Sequence, residues 1–235
     1  MSTWICDPRL TLIAAAFLLA GCLEGFGAGA RAPETVRVAG GEVTIGGPDG
    51  YCIDPQGSSE SEASSFVLLG SCAALREDPD GPHPDRLAVL TATVSKSAGG
   101  PRVADTLDDL AEVFASPAGR AMLSRSGDAE SVTLLETQES DGVLLLRLQD
   151  ESPHDGPEVA REYWRAVLDA GERMVMLSVI PLSSRPLSAD AGRALLDAFL
   201  ARVQGENAAA EEAPASGEVQ EAEADATPPP GGTEG

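Results

Sequence analysis

The chain predicts an α+β fold, an antiparallel sheet with helices packed on its faces. Three stretches carry that expectation. Ser131–Gln138 and Gly142–Asp150 are strand-like runs joined around Glu139-Ser140-Asp141-Gly142, and Asp-Gly between two such runs is the chemistry of a tight hairpin. Val159–Ile180 reads as a second hairpin: Tyr163, Arg165 and Val167 alternate with Trp164, Ala166 and Leu168, and Asp169-Ala170-Gly171-Glu172 supplies a turn before RMVMLSVI. A helix behind Pro157 is the alternative for its first arm. Ser188 then opens an amphipathic helix to about Val203, with Ala191, Leu195, Leu196, Phe199, Leu200 and Val203 on one face and Gly205 as its stop.

Taken from the start, the chain opens on an apolar run, Leu10–Ala20, behind a leader in which Arg9 stands against Asp7. Such a run is shorter than the ~20 residues a membrane-spanning helix needs, and it has the length of a signal-peptide core. Its ending, Leu19-Ala20-Gly21-Cys22, resembles the lipobox of bacterial lipoproteins. That resemblance implies removal of residues 1–21, a diacylglyceryl group on the Cys22 sulfur, and in Gram-negative bacteria a further amide-linked acyl chain. Two or more acyl chains hold a protein stably at a bilayer, where one does so only marginally. Membrane lipid, reached through acylated Cys22, is therefore the first expected partner. Leu23 is not the aspartate that retains enteric-type lipoproteins at the inner membrane, so the expected location is periplasm-facing at the outer membrane. An ordinary secretory leader cut between Gly21 and Ala30 is the alternative.

Residues 22–33 read as a flexible stalk, 34–204 as one globular domain, and 205–235 as a disordered tail. The tail carries eight acids and no base, then Pro228-Pro229-Pro230. Formal net charge is −22 and Lys96 is the only lysine. A charge of that sign and size argues against nucleic-acid binding, which needs phosphate neutralisation by a basic face. It equally opposes adhesion to anionic lipid by charge.

Within the body, ETVRV and EVTI are short strands separated by Ala39-Gly40-Gly41. GYCIDP is a strand expected to end at Pro55, followed by an exposed polar stretch, and Ser65–Cys72 is a more apolar strand. With the leader gone and Cys22 lipidated, Cys52 and Cys72 are the remaining thiols, and an oxidising compartment favours pairing them. Two reduced buried cysteines in neighbouring strands are the alternative. Arg86–Ser95 is a strand rich in β-branched residues. Thr106 and Asp109 have capping-box spacing ahead of a helix through LDDLAEVFAS, and AGRAMLSR reads as a second helical stretch beyond Pro117.

Candidate chemistry is sparse. His83 lies in the acidic loop Glu77–Arg86 and His154 in Asp150–Glu158. If the loops converge, Asp80, Asp85, Asp150 and Asp155 add oxygen ligands around a divalent metal; otherwise both loops are solvated turns. No serine elbow, zinc-binding helix motif, phosphate loop or dinucleotide fingerprint occurs, and no cofactor is implied. The order of elements resembles the PsbP-like α/β/α fold over about Val159–Val203, where a strand pair ending at RMVMLSVIP precedes the helix SADAGRALLDAFLARV. GYCID and FVLLGSCA are similar to segments of uncharacterised alphaproteobacterial envelope lipoproteins. The second resemblance brings no activity with it, whereas the PsbP-like one implies a binding or assembly accessory rather than a catalyst; with the anchor and the missing catalytic motifs, the expected role is a non-enzymatic accessory of an envelope protein complex. Two alternatives stand beside it: a metal-dependent or hydrolytic periplasmic enzyme using His83 and His154, and a purely structural envelope protein.

Overall fold

The computed structural model describes residues 32–153 and 158–212. Two short strands, β1 (Thr35–Val38) and β2 (Val43–Gly46), form a hairpin of their own. Seven strands build the main sheet: β3 (Tyr51–Glu60), β4 (Ser64–Ser71), β5 (Ala88–Ser95), β6 (Val132–Ser140), β7 (Val143–Asp150), β8 (Glu162–Ala170) and β9 (Arg173–Pro181). Their order across the sheet is β3-β4-β5-β9-β8-β7-β6, antiparallel throughout. A single helical turn, α1 (Cys72–Leu75), follows β4; α2 (Leu107–Ala115) and α3 (Pro117–Leu123) lie between β5 and β6; α4 (Ala189–Glu212) ends the described chain.

Period-two alternation sorts the side chains onto two faces. On face one, Val67, Leu69, Leu90, Ala92, Val175, Leu177 and Val179 are buried under Leu195, Leu196, Phe199 and Val203 of α4 and under Val43 and Ile45 of the small hairpin. On face two, Phe114 of α2 and Leu123 of α3 close over Leu144, Leu146, Leu148, Tyr163 and Val167. Each such large side chain contributes about 1.5–3 kcal/mol by leaving water. The result is three layers around one sheet.

The expected β6–β7 hairpin is present, and Asp141 and Gly142 both take positive φ, 49° and 76°, as a two-residue turn of right-handed strands requires. Residues 162–181 form a hairpin rather than a helix. Its turn is tighter than expected: Asp169 and Ala170 still pair with Met174 and Arg173, leaving only Gly171-Glu172 outside the ladder.

Four local expectations are corrected. Pro55 does not end β3; on an edge strand its missing N–H costs no ladder bond, and the chain bulges between Asp54 and Ser59 while Asp54 Oδ1 accepts from the Gln56 and Gly57 amides. Thr106 does not cap α2, because its hydroxyl donates to the Arg102 carbonyl instead. The working cap is one helix later, where the Ser116 hydroxyl accepts from the Gly119 amide and Pro117 occupies the first turn. Gly205 does not stop α4, which runs on to Glu212. Gly205 keeps a negative φ, Arg202 pairs with Glu206 across it, and Asn207 binds β2 beyond it: its amide accepts from Thr44 N and donates to Thr44 O, both at 2.9 Å. The segment expected to be tail from 205 therefore begins as helix.

Candidate functional site

The anticipated site residues are dispersed. Cys22 lies outside the described residues. Cys52 and Cys72 form a disulfide, with both residues buried. They close the point at which the described chain begins: Ala32 packs on both cysteines with Leu75 alongside, the Arg76 Nε donates to the Ala32 carbonyl, and the Ile53 amide donates to the Pro33 carbonyl.

His83 is exposed and its Nε2 lies 3.0 Å from the Pro79 carbonyl of its own loop; Asp80 and Asp85 are exposed as well. His154 and Asp155 lie outside the described residues, so the proposed convergence of the two loops is described on one side only. Asp150 is not free to serve as a metal ligand in that cluster. It is fully buried, and its carboxylate accepts from the Arg125 amide and Nε and from the Ser152 amide. Among the described residues no group of three or more His, Cys, Asp or Glu is arranged to hold a metal ion.

Asp150 instead centres a polar network for which the sequence offers no motif. Arg125 Nη2 donates to the Asp150 carbonyl at 2.8 Å. The hydroxyls of Ser124, Ser126, Ser131 and Ser152 converge beside it, Ser152 meeting the other three at 2.9–3.0 Å. Arg125 Nη1 is buried with no hydrogen-bond partner, and its guanidinium lies 5.9 Å from the Tyr163 ring centroid, where the aromatic face offers a cation what a hydrogen bond would. Arg165 flanks the same ring at 5.4 Å and donates to Ser178 Oγ. Burial alone would raise the Asp150 carboxyl. Hydrogen bonds from the Ser152 hydroxyl, the Arg125 and Ser152 amides and the Arg125 side chain outweigh it and bring the group from an ordinary 3.8 down to about 2. The network is an ionised clamp that ties the loop after α3 to β7.

The other distinctive surface is the part of face two on β4 and β5 that α2 and α3 leave uncovered; on β9 beside it, Met176 and Ile180 pack against the cluster under those helices and Ser178 is buried beneath Arg165. In β4 and β5 alternate residues are buried on face one and only partly buried on face two. Phe66 stands opposite Thr93 and Thr93 opposite Met176; Leu68 stands opposite Thr91 and Val89 opposite Ile180. Met174 at the margin is 42% exposed. From Ser64 to Ile180, this face of β4, β5 and β9 carries no charged residue, in a chain of net charge −22.

No protein-family model, no curated protein and no solved structure matches this chain.

Proposed function

We propose that this chain is an extracytoplasmic lipoprotein, tethered to a bacterial membrane through acylated Cys22, that serves as a non-enzymatic binding or assembly accessory of an envelope protein complex. The observation that carries the reading is the buried Cys52–Cys72 disulfide at the place where the chain enters its folded body. Structural disulfides persist in oxidising compartments, which agrees with the leader and with Leu19-Ala20-Gly21-Cys22. The same disulfide fixes Ala32, so that a lipid on Cys22 holds the body through ten residues that span at most about 35 Å.

The finer assignments belong to the same proposal. The layering of α4 and a small hairpin on one face and α2–α3 on the other supports a PsbP-like α/β/α sandwich, a scaffold suited to binding. Leu23 after the lipidated cysteine favours the outer membrane. The test is the intact mass of the protein extracted from membranes with detergent, with Cys22→Ala beside it. The expected result is a diacylglyceryl-containing adduct on a chain beginning at Cys22, with the variant released to the soluble fraction. An unmodified soluble wild type overturns the proposal.

A further inference from the structure

We infer that the outer edge of β6 takes up an extended segment of a second protein as an added strand, and that this segment carries a Lys or Arg where it passes Glu139. The inference rests on the proposed accessory role and names the partner surface that role requires.

The first observation is the contrast between the two edges of the main sheet. An unpaired edge is a template for strand addition unless something blunts it. The β3 edge is blunted: the Ile53 amide donates to the Pro33 carbonyl, Pro55 has no N–H to offer, and the chain bulges between Asp54 and Ser59. The β6 edge contains no proline, and among the described residues no strand pairs with its outer side. Its turn sets which groups are free. A two-residue turn makes Ser140 and Val143 a hydrogen-bonded pair, and antiparallel alternation repeats that pairing at Gln138–Leu145 and Glu136–Arg147. The amides and carbonyls of Thr137 and Glu139 therefore point outward, and both residues are exposed. The bulge between Leu134 and Glu136 leaves the stretch from Glu136 to Ser140 regular.

The second observation is where Glu139 stands. It lies opposite Leu144, which is buried on face two, so Glu139 is on face two as well. There it lines an open groove with Asp105, Asp108 and Asp109 at the start of α2. All four are exposed, and among the described residues none of them is in an ion pair. Nor are they arranged to hold a metal ion. Residues opposite one another in a ladder share a face, so a Lys or Arg of the added strand opposite Glu139 points into this groove. Backbone bonds at Thr137 and Glu139 supply affinity, and the groove selects the side chain.

This local charge decides the occupant. The sequence of β6, VTLLETQES, holds no base, so a second copy pairing edge to edge brings no cation to the groove. Residues 206–235 hold none either. Arg31 adjoins Ala32, which packs beside β3 at the other edge, six strand spacings or about 29 Å across the sheet. A basic extended segment of another protein satisfies both the ladder and the groove.

The test is photocrosslinking in the cells that make the protein, with a photoreactive residue replacing Leu135, exposed on β6, or Gln56, exposed on the opposite edge. The Leu135 probe is repeated in two backgrounds. Thr137→Pro deletes an outward N–H that the ladder does not use, and Glu139→Arg places a base in the groove. Circular dichroism and retention of the disulfide check the fold of each. The expected result is one protein adduct from position 135 and none from 56, mapping to a segment that contains Lys or Arg, with the yield about tenfold lower in both backgrounds. If Thr137→Pro does not fold, Glu139→Arg decides alone. An adduct to a second copy or to lipid, equal labelling from 56, a segment without Lys or Arg, unchanged yield in either folded background, or no adduct overturns the inference. Loss of the lipid mass on Cys22 would refute the anchoring proposal while leaving a position-135 adduct intact, so the two failures are separate.

Discussion

Replacing Asp150 by Asn isolates the ionised clamp, because the amide keeps the shape of the carboxylate and removes its charge. The folded carboxyl titrates at about 2 against 3.8 in an ordinary environment, a difference that corresponds to about 2.4 kcal/mol of stability. The folded value is the lower one, so the unfolded chain takes up the proton first as the pH falls. The contribution is therefore whole above about pH 5 and is lost as the pH drops through 4 towards 2. The substitution also leaves the Arg125 guanidinium, 19% exposed, without its counter-charge. A destabilisation of about 2–4 kcal/mol at pH 7 is expected, below the upper range for a fully buried pair because Arg125 retains some solvent. Urea unfolding of both proteins at pH 7, 5, 3.5 and 2.5 gives the comparison. The gap should be constant between pH 7 and 5 and should close by about 1.6 kcal/mol by pH 2.5, where part of the folded carboxyl is still ionised. A gap that stays the same across the whole series, or one below about 0.5 kcal/mol at pH 7, would refute the assignment of Asp150 as a stabilising anion.

Reducing the Cys52–Cys72 bond, which closes a 20-residue separation, should cost about 3 kcal/mol in urea unfolding with and without reductant. Asn207→Ala removes the amide that bridges both backbone groups of Thr44; a loss of about 1–3 kcal/mol is expected, with faster exchange of the Thr44 amide hydrogen. Gly119→Ala would place a Cβ 1.9 Å from the Val113 carbonyl at the elbow between α2 and α3. It should lower the melting temperature more than Gly205→Ala, which meets nothing within 4 Å and should stabilise the helix by about 0.5–1 kcal/mol.

What could be read from the sequence was whatever is written locally. Asp141-Gly142 and the alternation through Tyr163–Leu168 specify their hairpins within a few residues, and the expected pairing of Cys52 with Cys72 is present. Single-residue punctuation was less dependable. Pro55 and Gly205 are stops by propensity, yet the first sits on an edge strand that needs no N–H there, and the second is bracketed by Arg202–Glu206 and the Asn207 contacts. The clamp and the open face were not legible. Arg125 and Asp150 are 25 positions apart, and the serines around them look like loop composition until α3, β6 and β7 bring them together. The open face has the same alternating pattern as the covered half of the sheet, and only the placement of α2 and α3 separates the two.

The hydrogen bonds between Asn207 and Thr44 join positions 163 apart, nearly the whole span of the described chain. Among the described residues the first hairpin is thus sealed by the last helix, and face one of the sheet lacks Leu195, Leu196, Phe199 and Val203 until that helix arrives. Contacts of such sequence separation form late, after the loop-closure entropy of everything between them has been met. Until α4 is delivered, the apolar residues of face one that it covers remain in contact with water. Under the export route proposed above, completion of the fold is deferred to the far side of the membrane.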